Sequence, residues 1–288
     1  MSVILITGCS TGIGQEAAVT LAAAGHRVYA SCRRPDAAEE LHARIADSGH
    51  DIPVLSLDLL DRESIDAAVN RIVEQEGRLD VLVNNAAIGG GRALEETSLE
   101  EIREIYETNV FGSLTVLKAV IPIMRKQGSG RLVCVTSLAG SNPFGCHGAY
   151  SSSKAALETY CMSLNQELAE HGVTVSVIAP GCVMTPMWTK GSLPADNSPY
   201  ANSFGRFAKW CEFGLGRAAM PADCAEAIRD AVESPQPRFR YPIGPDADDF
   251  WRAYRQVNDD EEWLRIARLD NAAYAEKMAE LMGIDYYA

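Results

Sequence analysis

Short apolar runs recur along this chain, at Val3–Thr7, Arg27–Ser31, Val54–Leu57, Leu79–Asn84, Arg131–Thr136 and Thr174–Ala179. Each is rich in Val, Ile and Leu and nearly continuous in apolar character, the pattern of a strand covered on both faces. Helix-period stretches separate several of them. One runs from Gly12 to Ala24 and stops at Gly25; another runs from Arg62 to Glu76, with Asp61 as N-cap and Gly77 as stop. Two longer stretches span Glu100–Lys126 and Ala149–Glu170. Such alternation leaves few topologies: a parallel, doubly wound α/β sheet with helices on both faces.

Two segments break the pattern. Residues 186–221 are rich in Gly, Pro, Ser and aromatics and follow the sixth run, so a flap at the carboxyl end of a strand is expected there, where such sheets bind ligands. After Tyr241 the chain continues into a tail. Tyr274, Met278 and Leu281 are spaced four and three apart, which predicts a helix docking on the body through that stripe.

Composition removes several function classes. A net charge of -13 disfavours nucleic acid, whose phosphates need a basic face. No apolar run reaches the ~18 residues of a membrane span. Met1–Thr7 lacks a basic flank and leads straight into a glycine turn, so a buried strand is expected and not a signal peptide. The eight cysteines form no CxxC pair and the five histidines have no ligand spacing. Free thiols, a cytoplasmic location and no metal are therefore expected.

The first run ends in Thr7-Gly8-Cys9-Ser10-Thr11-Gly12-Ile13-Gly14. Between a strand and a helix, glycines let backbone N–H groups approach a pyrophosphate, and the helix N-terminus adds partial positive charge. Gly8, Ser10, Thr11, Gly12, Ile13 and Gly14 are thus candidate dinucleotide contacts. The second strand of such a unit ends in a carboxylate when it binds the 2′-hydroxyl of NAD. Here it reads Ala30-Ser31-Cys32-Arg33-Arg34. Guanidinium groups suit a phosphate dianion, so NADP(H) is expected, with Arg33 as first contact and Ser10 as a second donor.

Tyr150 and Lys154 stand four residues apart, on one face of a helix. A free tyrosine has a pKa of about 10; an adjacent ammonium is expected to lower it, fitting the pair to exchange a proton with an alkoxide.

Together these motifs resemble the short-chain dehydrogenase/reductase family, from Val3 to about Pro186, with a glycine pattern of TGxxxGxG type. The resemblance implies a Rossmann-type fold and hydride transfer between a nicotinamide and a carbonyl or alcohol carbon. It also implies roles for particular residues. Ser137 is similar to the family's catalytic serine, and with Tyr150 and Lys154 it would hold the reacting oxygen. Lys154 would also hold the nicotinamide ribose. Asn109 would mark a helix irregularity serving a proton relay. Asp58 and Leu59 would lie on the adenine side. Asn85 and Ala86 belong to Asn84-Asn85-Ala86-Ala87, which departs from the family's NNAG at Ala87. Pro180, Gly181, Val183 and Thr185 belong to Pro180-Gly181-Cys182-Val183-Met184-Thr185, expected near the nicotinamide amide. A homodimer or homotetramer through the two long helices is implied as well.

The expected organisation is a catalytic dinucleotide-binding domain over residues 1–242 and a helical C-terminal extension over 243–288 packed on it. Phe144, His147 and Trp188 are expected to face an apolar ketone or secondary alcohol. Two alternatives stay open: an NAD-dependent alcohol or hydroxysteroid dehydrogenase, and a non-catalytic redox sensor on the same fold.

Overall fold

The computed structural model describes residues 1–189, 197–257 and 260–283. Its centre is a parallel sheet in the order β3-β2-β1-β4-β5-β6-β7. The strands are β1 (Val3–Ile6), β2 (Arg27–Cys32), β3 (Val54–Ser56), β4 (Val81–Asn84), β5 (Gly130–Val135), β6 (Val173–Pro180) and β7 (Arg240–Ile243). Six coincide with the expected apolar runs. The chain reverses direction across the sheet between β1 and β4, which neighbour each other with Ile4 beside Val81. At such a switch point the loops at the carboxyl ends diverge and leave a crevice.

The helices before β5 are α1 (Gly12–Ala23), α2 (Glu39–Ser48), α3 (Arg62–Glu76), α4 (Leu99–Tyr106) and α5 (Ser113–Gln127). Asp61 caps α3, accepting from the Glu63 and Ser64 N–H groups, and Gly77 ends it in the left-handed region. The long helix expected over Glu100–Lys126 is interrupted: a π-helical stretch, Glu107–Gly112, separates α4 from α5. After β5 come the short α6 (Leu138–Ser141) and the long α7 (Gly148–Glu167). The helix expected to reach Glu170 ends at Glu167 and continues as a single 3-10 turn.

Two apolar cores face the two sides of the sheet. Leu5, Leu82, Leu117, Leu132 and Val177 belong to one; Ile4, Ile6, Val83, Val133 and Ile178 belong to the other. Neighbouring residues of one strand thus point to opposite cores, which is why the runs are nearly continuous in apolar character.

The flap is more ordered than its composition implies. Residues 190–196 lie outside the described residues, but α8 (Ala201–Gly216) occupies much of the rest, and α9 (Pro221–Glu233) follows with Pro221 at its first position. The tail forms α10 (Pro245–Gln256), α11 (Asp260–Ala267) and α12 (Asn271–Met282). Met278 and Leu281 are buried and Tyr274 packs beside them, in a third cluster with Leu138, Trp210 and Phe250. The tail stripe therefore joins a core. Among the described residues no helix is long and apolar enough to cross a membrane.

Candidate active site

The glycine turn after β1 is shaped by contacts to its neighbours. Gly8 and Gly12 both have positive φ, at 73° and 67°. A Cβ on Gly8 would stand 2.7 Å from the Ala86 Cα, and one on Gly12 would stand 3.2 Å from the Thr185 Cγ2. The turn thus runs close against both the Asn84–Ala87 loop and the end of the Pro180–Thr185 loop. Thr7, which sequence reasoning gave no role, ties them together: its Oγ1 accepts from the N–H groups of Asn85 (2.9 Å) and Ala86 (3.0 Å). The Asn85 Nδ2 donates to the carbonyls of Thr7 and Gly8 at 2.9 and 3.2 Å. Asn85 therefore braces the turn.

This cradle fits a dinucleotide pyrophosphate. Thr11, the N-cap of α1, makes no side-chain cap, and the first turn carries no acidic residue. The N–H groups at the start of α1 keep their donor capacity and meet no negative charge. Arg33 and Arg34 are exposed just beyond β2. Asp58 takes a turn role, accepting from the Leu60 N–H at 3.1 Å, and Leu59 is buried below it.

Ser137 follows β5 and caps α6, accepting from the Ala139 N–H at 3.2 Å. Its hydroxyl also reaches Tyr150. Tyr150 and Lys154 project from the first turns of α7, and both are buried. The Lys154 Nζ lies 5.8 Å from the Tyr150 ring centre and donates to the Val135 carbonyl at 3.0 Å. Burial moves the two groups in opposite directions. It raises the phenol, with the Ser137 hydrogen bond opposing, and it lowers the ammonium from 10.5 to about 8. The expectation that Lys154 pulls the phenol down thus needs correction: desolvation dominates at Tyr150, and the opposing contact is Ser137.

Asn109 sits fully buried in the π-helical stretch. Its Oδ1 accepts from the Ile88 N–H at 2.8 Å, and its Nδ2 donates to the Ile88 carbonyl at 2.9 Å and the Ser153 Oγ at 3.1 Å. The extra residue of the π turn is what a side-chain amide needs to leave the helix and bond across to a neighbouring loop. Ser153 neighbours Lys154, so Asn109 joins the catalytic helix to the loop after β4.

The expected substrate residues separate. His147 stacks on Tyr150 with ring centres 4.7 Å apart and meets Phe207 of α8 at 4.8 Å. Its Nδ1 is buried without a partner, and burial pushes the imidazole down to about 4, so it is neutral. Phe144 instead stacks on Trp210 (4.2 Å) and meets Phe250 edge-on (5.0 Å), inside the third core. Trp188 is 39% exposed, and its Nε1 donates to the Val183 carbonyl at 2.7 Å. Met184 and Met187 beside it are also exposed. Across the crevice, a Cβ on Gly91 would stand 3.6 Å from both His147 and Phe207, and Tyr200 hydrogen-bonds Glu95. The flap helix α8 therefore roofs the side of the site where Tyr150 lies.

A serine, a buried tyrosine and a lysine converge beside a glycine cradle at the switch point of a parallel sheet. The sequence profile of the short chain dehydrogenases matches residues 2–194. The chain belongs to the short-chain dehydrogenase family. A 3-ketodihydrosphingosine reductase of Bacteroides thetaiotaomicron is 34% identical over 246 residues, covering 84% of this chain and 88% of the relative. The 17-beta-hydroxysteroid dehydrogenase type 1 of Mus musculus is 34% identical over 252 residues, covering 83% and 73%. The crystal structure of a short-chain dehydrogenase from Streptomyces avermitilis superposes with a TM-score of 0.81 at 34% identity, covering 93% of this chain and 98% of that one. Membership makes the chain an oxidoreductase acting on CH–OH donors with a nicotinamide dinucleotide.

Proposed function

We propose that this enzyme is an NADP(H)-dependent reductase of apolar ketones, interconverting them with secondary alcohols. The observation that carries the cofactor choice is the pair Arg33 and Arg34, exposed at the carboxyl end of β2 with no carboxylate at that strand end. A guanidinium there attracts a 2′-phosphate and offers it paired donors, whereas a carboxylate would repel it. For the substrate, Met184, Met187 and Trp188 present apolar surface after β6, and Phe207 closes the far side over His147. Such walls favour a carbonyl compound with a sizeable apolar body. The relatives that reduce a ketodihydrosphingosine or act on a hydroxysteroid point the same way.

Gly8 to Gly14 and the start of α1 would hold the pyrophosphate, and Val183 and Thr185 would border the nicotinamide. When bound, that cofactor supplies or accepts the hydride. Tyr150 gives its proton to the carbonyl oxygen, and the Ser137 hydroxyl donates a hydrogen bond to the same oxygen. Lys154 would hold the nicotinamide ribose from the same face of α7, and Asn109 holds the helix irregularity that ties α7 to the loop after β4. The chain is also proposed to form homodimers or homotetramers through α4, α5 and α7, near which Phe111, Tyr160 and Met162 are half exposed.

The test uses the purified enzyme with NADPH and NADH against ketones graded from small aliphatic to steroid size. The expected result is a kcat/KM at least about tenfold higher with NADPH, rising with substrate size. Equal or better use of NADH overturns the cofactor assignment. Flat or falling dependence on size overturns the substrate assignment.

A further inference from the structure

We infer that Asp246, at the start of the C-terminal tail, is a positioning residue that locks the Gly181–Thr185 loop in the shape that receives the nicotinamide. Asp246 lies in the first turn of α10, 64 residues from Cys182, and is fully buried. Its Oδ2 accepts from the Cys182 N–H at 2.7 Å. The approach is so close that a Cβ on Gly181 would stand 2.3 Å from that same oxygen. Only glycine at 181 admits this carboxylate.

The hydrogen bond anchors one end of a chain of contacts that leads to the cofactor cradle. Gly181 donates to the Ile243 carbonyl at 2.9 Å, extending the β6–β7 ladder by one residue. The Cys182 carbonyl accepts from Ala219 at 3.0 Å, and the Met184 N–H donates to the Ala219 carbonyl at 3.0 Å. The Val183 carbonyl accepts from the Trp188 indole. Thr185 then meets Gly12 of the glycine turn. Of these partners Asp246 alone is a side chain contributed by the tail, and a buried backbone donor that loses its acceptor is left unsatisfied at the full cost of its desolvation. Burial raises the Asp246 pKa, with the Cys182 N–H first among the contacts opposing the rise. The tail thus reaches the site through one buried side chain. This inference rests on the proposal that Val183 and Thr185 border the nicotinamide.

The experiment compares three probes, NADPH, NADH and ADP, on wild type, Asp246→Ala and Asp246→Asn, by equilibrium binding and by steady-state kinetics. ADP carries adenine and pyrophosphate but no nicotinamide. Losing this buried hydrogen bond is expected to weaken the preferred dinucleotide about tenfold or more in Asp246→Ala and raise its KM, while ADP affinity stays the same. Asp246→Asn keeps an acceptor and is expected to restore most of the loss. Unchanged dinucleotide affinity in Asp246→Ala, or equal weakening of ADP, overturns the positioning role. Wild type that binds neither dinucleotide more tightly than ADP overturns the underlying assignment of Val183 and Thr185 instead.

Discussion

Replacing Lys154 by Met is expected to abolish turnover and yet stabilise the cofactor-free protein. Lys154 is 2% exposed, and burial lowers its ammonium from 10.5 to about 8. At pH 7 the group is still charged, and holding that charge in the fold costs about 3 kcal/mol relative to the unfolded chain. Methionine has nearly the same shape and no charge. It forfeits the 3.0 Å hydrogen bond to the Val135 carbonyl, about 1 kcal/mol. The net gain is about 2 kcal/mol, or about 3 °C in Tm for a chain of this size. The sign follows from the proton balance. Because the folded pKa is depressed, stability is full above 10.5, falls as pH drops through the interval toward 8, and is constant below it. At pH 9.5 the folded lysine is largely neutral, and the advantage of Lys154→Met shrinks to about zero. Thermal melts at pH 7 and pH 9.5, with NADPH consumption measured on the same samples, test this. A variant no more stable than wild type at pH 7, or an advantage that ignores pH, would refute the reasoning.

Tyr150→Phe removes the proton donor and is expected to lower kcat by about a thousandfold while leaving the dinucleotide dissociation constant unchanged; binding and single-turnover measurements on the same variant check both halves. Asn109→Ala deletes three hydrogen bonds, one of them buried and two partly buried, and strands the Ile88 N–H, so urea denaturation is expected to show a loss of about 2–3 kcal/mol; an unchanged midpoint at the same m-value contradicts it. Arg33→Glu sets a carboxylate where a 2′-phosphate would lie. The KM for NADPH is expected to rise about tenfold or more while that for NADH stays level or falls, and initial-rate kinetics with the two cofactors decide it.

How much of this was legible in the chain depends on how local each signal is. Six strands showed themselves because most of their residues are buried between the two cores, so apolar character is nearly continuous; β3, with Ser56 exposed, is the exception. β7 escaped notice because Arg240-Tyr241-Pro242-Ile243 is neither apolar throughout nor alternating; it is an edge strand paired only with β6, where a proline is tolerated. α8 was hidden by Gly205, Gly214 and Gly216, which weaken helix propensity. Its support is tertiary: Phe204, Phe207 and Trp210 share one face and pack with each other and with Phe144. Phe144 read as a pocket residue because it is aromatic and close in sequence to Tyr150; only the fold reveals Trp210 and Phe250 around it. Asp246 lay in an acidic tail that reads as solvated surface, and nothing near it in sequence marks the bond to Cys182. The catalytic trio and the glycine turn were legible because spacing and residue type specify them within a strand–loop–helix unit.

What spacing does not specify is the state of the proton. The four-residue interval places Tyr150 and Lys154 on one face of α7, but the depth at which the fold buries that face decides which group holds charge. Desolvation penalises phenolate and ammonium alike, so it moves the two pKa values in opposite directions from their ordinary positions of 10.0 and 10.5: the phenol upward, the lysine down to about 8. A phenol raised above its ordinary value keeps its proton throughout the neutral range. A resting base for alcohol oxidation would need the opposite shift. His147, stacked on the phenol and held neutral, adds no positive charge to bring that shift about. The same burial that makes Lys154 costly to the fold thus opposes phenolate formation at Tyr150.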